Sequence, residues 1–124
     1  MLVEAVSLEF HALGRLPGTL IKWFVDELDI LTICSLLDGK DRSATAKCTF
    51  GYYDGVTLEF FDGSLSGEIA TSPRGENGFG WDKIFIPEGY ELTRAELNGA
   101  DDEKTYTQIK PFNQVKSFLE TRTT

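Results

Sequence analysis

Hydrophobic and polar residues alternate from the second position onward. Leu2, Glu4, Val6, Leu8 and Phe10 fall on one side of the run and Val3, Ala5, Ser7 and Glu9 on the other, the period of two that a β-strand requires. The first side is apolar except for Glu4. Unpaired acids are almost never buried, so Glu4 demands a metal ion or a cationic side chain beside it. His11 to Gly18 holds two glycines and a proline and predicts a loop. Leu20, Ile21, Phe24, Val25 and Leu28 then recur at helical spacing, with Thr19 as the expected N-cap. A second short helix is expected over Ile30 to Leu37, ending at Asp38-Gly39, where glycine accepts a left-handed conformation.

From Ala44 the period of two returns. Ala44 to Tyr52, Val56 to Phe61 and Leu65 to Ala70 are β-rich runs separated by Asp54-Gly55 and Asp62-Gly63, which predicts a three-stranded antiparallel meander. Ser72 to Asp82 is too rich in glycine for regular structure, and a short strand over Lys83 to Ile86 follows, closed by Pro87. Thr93 and Glu96 form a capping-box pattern for a short helical turn. Asp101 to Glu103 read as a solvated acidic patch, and Phe112, Val115, Phe118 and Leu119 as the apolar side of a C-terminal helix. No repeat, low-complexity tract or linker interrupts the pattern. The expectation is a single domain over residues 1–124 of mixed α/β class, a curved mixed or antiparallel sheet flanked by helices.

Composition narrows the field. With 41% hydrophobic residues in 124, the chain buries enough apolar surface to fold without staples. Twenty acidic against 12 basic side chains give a net charge of −8, which repels phosphate backbones and argues against a nucleic-acid binder. Cys34 and Cys48 lack metal-site spacing and His11 is the only histidine, so a zinc centre is not expected. Both cysteines fit reduced core residues of a cytoplasmic protein, and His11 a loop or surface position. The longest apolar stretch, Ile30 to Leu37, is far short of a membrane span, so no membrane partner is expected.

The densest chemical signal is Gly75-Glu76-Asn77-Gly78-Phe79-Gly80-Trp81-Asp82. Its glycines let backbone approach a ligand, Phe79 and Trp81 offer flat faces for a purine, and Asp82 accepts hydrogen bonds or holds a metal. The competing reading is a loop whose aromatics plug the core. The spacing fits neither dinucleotide-binding nor Walker patterns. Arg74 beside this loop suits a polyphosphate or a solvated turn. Lys22, next to Trp23, suits phosphates or solvent equally.

Ser72-Pro73-Arg74-Gly75, Gly78-Phe79-Gly80-Trp81-Asp82, Ile84-Phe85-Ile86-Pro87-Glu88-Gly89 and Thr93 with Ala95-Glu96-Leu97 together resemble the signature of the inosine triphosphate pyrophosphatase family, the non-canonical purine NTP pyrophosphatases. Val3-Glu4, Leu16-Pro17-Gly18, Ile21-Lys22-Trp23-Phe24 and Cys48-Thr49-Phe50 agree in the same order. The resemblance implies Mg2+-assisted hydrolysis of ITP, dITP or XTP to the monophosphate and pyrophosphate, and a homodimer; an open sheet edge would favour pairing or exchange of elements between its chains. It places Phe79, Gly80, Trp81 and Asp82 at the base side of a cleft and makes Glu4 the first of an acidic pair, a catalytic and metal-holding carboxylate. Lys104 and Lys110 resemble the lysine and arginine of the family's Lys-Asn...Ser-His-Arg segment, which reads the purine edge.

Departures are equally specific. Ala5 stands where the family has the second acid, Lys83 follows Trp81-Asp82 where proline is usual, and the family's opening strand, phosphate-binding turn and helix do not precede Leu2. These departures predict a degenerate site with weak or lost turnover. The alternative they leave open is a non-catalytic nucleotide-binding module or a dimeric structural one.

Overall fold

A computed structural model describes residues 1–76 and 80–122 of the chain. Its elements run β1 (Leu2–Phe10), a 3-10 turn (His11–Leu13), β2 (Pro17–Gly18), α1 (Ile21–Glu27), α2 (Ile30–Ser35), β3 (Ser43–Tyr53) and β4 (Leu58–Ile69). A second 3-10 turn (Gly80–Lys83), β5 (Phe85–Pro87), α3 (Gly99–Ile109) and α4 (Phe112–Arg122) complete it. The strands form one sheet of order β2-β1-β3-β4-β5, antiparallel at every pairing. The mixed α/β expectation holds.

One face of the sheet carries the core. Leu8 and Phe10 of β1 stand opposite Ala46 and Ala44 of β3, and all four are fully buried. Ile21 of α1, Ile33 and Cys34 of α2, Leu37, Ile84, Phe85, Ile109 of α3 and Val115 of α4 close over them. The opposite face is polar through its middle, where Lys47 pairs with Glu9 at 3.2 Å and Thr49 donates to Asp62 at 2.6 Å. His11 lies exposed at this face, within hydrogen-bond distance of the Ser43 and Thr45 hydroxyls at 2.9 and 2.8 Å, a surface position as expected.

Several elements differ from the sequence pattern. The expected meander is a two-stranded hairpin, since β4 runs unbroken through Asp62-Gly63. Only Asp54-Gly55 turns, with the Asp54 carboxylate accepting from the Val56 and Thr57 amides at 3.0 and 2.7 Å. Gly63 serves a different purpose. A Cβ there would collide with the Ile109 carbonyl, so glycine admits the end of α3 to the sheet. Thr19 does not cap α1; Leu20 occupies the cap, its amide already bonded to the Pro17 carbonyl, so the helix is entered from a turn. Lys83 belongs to a 3-10 turn, and the short strand starts at Phe85. The acidic patch is the first part of a helix, capped by the Asn98 side chain, which accepts from the Asp101 amide at 2.9 Å.

Candidate functional site

The segment following the glycine-rich loop is fixed from both sides. Backbone bonds join Arg74 to Lys83 at 2.9 Å, Ala95 to Asp82 at 3.1 Å and Arg94 to Phe85 at 3.0 Å. Gly75 is required here, because a Cβ would meet the Ala95 backbone at 2.5 Å. Trp81 packs edge-on against buried Phe85, centroids 5.7 Å apart, and stays partly exposed. This packing is what the core-plugging reading expects, and part of the ring remains accessible.

Asp82 receives a partner that the sequence pattern did not single out. Arg94, 8% exposed, places Nη1 3.2 Å from Asp82, Nη2 3.2 Å from Asp102 of α3 and Nε 3.2 Å from the Thr105 hydroxyl. Its guanidinium also lies over the Tyr106 ring at 5.7 Å. A planar fork with several donors suits such a buried crossing better than a lysine would. The one signal available in the sequence was a charge set between Thr93 and Ala95 inside the capping-box turn.

α3 carries the site onward. Asp102, Thr105, Tyr106 and Lys110 recur at spacings of three and four, one stripe of the helix end. Lys110 Nζ is 2.8 Å from Glu4 Oε2, and its ammonium lies 5.8 Å from the Tyr106 centroid. Tyr106 touches Phe112, and Phe112 touches Phe50, the residue paired with Glu4 across β1 and β3. Glu4 is thus paired with a cation, although this end of β1 is exposed and the acid is not buried as the apolar side of the strand suggested. A shallow apolar groove of about 480 Å³ continues from Phe112 along Val115 and Leu119.

Other expected site residues lie elsewhere. Arg74 turns toward the Glu91 carbonyl, 3.0 Å from Nη2, and toward Glu96, whose Oε1 is 3.3 Å from Nε without the alignment of a hydrogen bond. Lys104 is exposed on α3 away from the Glu4 pair. Ala5 is exposed on the opposite face of the sheet, across from Thr49, because successive strand residues alternate. Gly80 opens the 3-10 turn, and Phe79 lies outside the described residues. Lys22 lies 5.9 Å from the centroid of the exposed Trp23 ring. Among the described residues no group of three His, Cys, Asp or Glu side chains is placed to hold a metal, and no helix is long and apolar enough to cross a membrane.

Cys48, beside this site on the core face, has its thiol pushed up by burial, with Lys110 opposing the shift. Cys34 is pushed up likewise by burial, with Arg42 opposing. Both are free thiols buried in the core.

A sheet covered on one face, with an aromatic, acids, buried Arg94 and half-buried Lys110 gathered where α3 meets it, defines a polar site in a mixed α/β protein. Residues 1–118 match the Ham1 family, and the chain belongs to it. It is 42% identical over 122 residues to an inosine triphosphate pyrophosphatase of Yarrowia lipolytica, covering 96% of this chain and 64% of that protein. One from Candida albicans is 40% identical, with 96% and 60% covered. Among solved structures, a HAM1 protein from Coxiella burnetii superposes with a TM-score of 0.83 at 25% identity, covering 97% of this chain and 66% of that one. The Staphylococcus aureus Ham1 protein gives 0.80 at 28%, with 98% and 67% covered. The chain thus spans less than two thirds of the length of these two pyrophosphatase relatives.

Proposed function

We propose that this chain binds the non-canonical purine nucleoside triphosphates ITP, dITP and XTP and hydrolyses them slowly to the monophosphate and pyrophosphate. The observation that carries the reading is the α3 stripe, which joins Trp81-Asp82, through Arg94 and Tyr106, to the Lys110–Glu4 pair. Its relatives are inosine triphosphate pyrophosphatases by name, which supplies the substrate class. In the proposed reaction water attacks the α-phosphorus, the α–β phosphoanhydride bond breaks and pyrophosphate leaves. Trp81 stacks the base, and Lys110 reads the purine edge.

Mg2+ fits as a companion of the triphosphate rather than as a resident ion. It keeps several waters and takes one or two carboxylates along with substrate phosphates, and Glu4 is the partly exposed carboxylate of the cleft. When bound it supplies charge neutralisation on the phosphates. Slow turnover follows from two features: Lys110 already occupies Glu4, and Ala5, on the other face of the sheet, brings no second carboxylate. The same two features favour a second reading, a nucleotide-binding module without turnover.

We further propose a homodimer, including exchange of elements between chains, in the cytoplasm, with no nucleic-acid partner. Exposed Val3, Tyr53, Leu58 and Phe60 and the pairing of β1 with β2 at Leu8 and Glu9 alone support the first. Free buried thiols and the charge of −8 support the others.

Pyrophosphate release from ITP with Mg2+ tests the reading. Turnover below about 0.01 per second, roughly a thousandfold under a typical enzyme, is expected. Release at about 10 per second, abolished by Trp81→Ala, would overturn the slow-site assignment.

A further inference from the structure

The sheet face opposite the core carries a trough of about 440 Å³ that the purine reading leaves unused. Its floor is one register row: Ala44 of β3, Gly67 of β4 and Pro87 of β5. Glu68 stands in the next row, between Ser43 and Ile86. Glu88 lies across from Ser66, its amide donating to the Ser66 carbonyl at 2.9 Å. His11 closes the β1 side, within hydrogen-bond distance of the Ser43 and Thr45 hydroxyls at 2.9 and 2.8 Å. Tyr90 closes the β5 side, its amide donating to the Pro87 carbonyl at 3.1 Å. Both ends are therefore tied to the sheet before any ligand arrives.

The lining selects the ligand. Neither the Glu68 nor the Glu88 carboxylate has an ion pair or hydrogen bond among the described residues, and no lysine or arginine lines the trough. The two acids are diagonal neighbours on adjacent strands, which sets them about 7 Å apart at the backbone and suits two cationic groups better than one. Ile86 and the Tyr90 ring, both half-buried, add apolar surface in the same trough, and an aromatic face also attracts an ammonium. A metal is poorly served here, since no group of three His, Cys, Asp or Glu side chains gathers among the described residues. We propose that the trough binds a short aliphatic diamine, with its ammonium groups on Glu68 and Glu88 and its methylenes on Ile86 and Tyr90. The site lies on the other face of the sheet from Arg94 and Lys110, and it does not depend on the substrate class proposed above.

The test titrates the full chain, labelled with nitrogen-15, with 1,4-diaminobutane, 1-aminobutane or MgCl2 at matched low ionic strength. The diamine is expected to shift the Ser66, Gly67 and Gly89 amides first. It should bind at least about threefold more tightly than the monoamine, because it makes a second ion pair. Glu68→Gln and Glu88→Gln should each weaken the diamine about threefold and remove most of its advantage over the monoamine. Tyr90→Leu keeps the apolar contact without the aromatic face and should weaken both amines about twofold. Glu59→Gln, an exposed acid at the far end of β4, reports net charge alone and should change affinity by less than about 1.5-fold. The same spectra report whether each variant is folded, and Glu68→Ser or Glu88→Ser replaces a glutamine variant that is not. Equal affinity for diamine and monoamine, or Mg2+ shifting the same amides as strongly at the same concentration, would mean a diffuse acidic surface and overturn the proposal. So would a loss in Glu59→Gln as large as that in Glu68→Gln, or an absence of shifts around the trough.

Discussion

Arg94 is the residue on which the site's geometry depends. Replacing it with methionine removes the cation that Asp82 and Asp102 share, while the apolar volume is kept. Both acids retain some solvent, at 23% and 43% exposed, so the cost is about 2 kcal/mol rather than the larger penalty of a dry pair. A lower urea midpoint with an unchanged slope would show it, and Arg94→Lys should recover only part because a point charge cannot reach all three partners. An unchanged midpoint would mean the fork holds nothing in place. Cys34 and Cys48 give a second prediction. Burial raises both thiols above 9.0, so the folded chain holds these protons more tightly than the unfolded one. That contribution is fully present below about pH 9 and is lost as pH rises through the raised folded values. Urea unfolding at pH 7 and pH 10 should therefore show a loss at the higher pH that Cys34→Ala with Cys48→Ala reduces. At this scale the sequence was half legible. Glu4 stood out as an acid on an apolar stripe, yet that end of β1 is exposed, and its pairing with Lys110 depended on how α3 meets β1. Arg94 was not singled out in the sequence, and only burial revealed its role.

Among the elements, α3 is the one the hydrophobic pattern concealed. Its buried positions are Thr105 and Ile109, and the stripe that reaches the cleft is made of Asp102, Tyr106 and Lys110, so no apolar periodicity marks it. Asn98 with Asp101 was the available signal, a cap and an acidic first turn. Asn98→Ala should cost about 1 kcal/mol in unfolding free energy. The strands were legible through their alternation, and the two short helices through their spacing. Asp62-Gly63 misled because a glycine needed for close approach looks the same in sequence as one needed for a turn. Gly63→Ala should cost roughly 2 kcal/mol or more, since the new methyl meets the Ile109 backbone carbonyl, which cannot rotate aside. A stability equal to wild type would show that α3 sits farther from β4 than the structure places it.

For the whole molecule, one covered sheet face puts every cation of the cleft under the α3 end, and a charge of −8 surrounds it. Such a field repels a bare tetra-anionic nucleotide and tolerates one carrying a divalent cation. ITP should therefore bind better with Mg2+ present than in EDTA, and more so at low salt. The ordered motifs made the family legible from one sequence, because glycines, prolines and aromatics at fixed offsets reflect backbone approaches that few folds share. What the acids and bases do to one another was not legible, since pairing across the fold is set by packing. The most direct measurement is calorimetry of the full chain with ITP, XTP and ATP in the presence of Mg2+, repeated on Trp81→Ala. ITP and XTP are predicted to bind at least about tenfold more tightly than ATP, a difference of about 1.4 kcal/mol, with the preference lost in Trp81→Ala. No heat with any of the three, or equal affinity for all, would contradict the account.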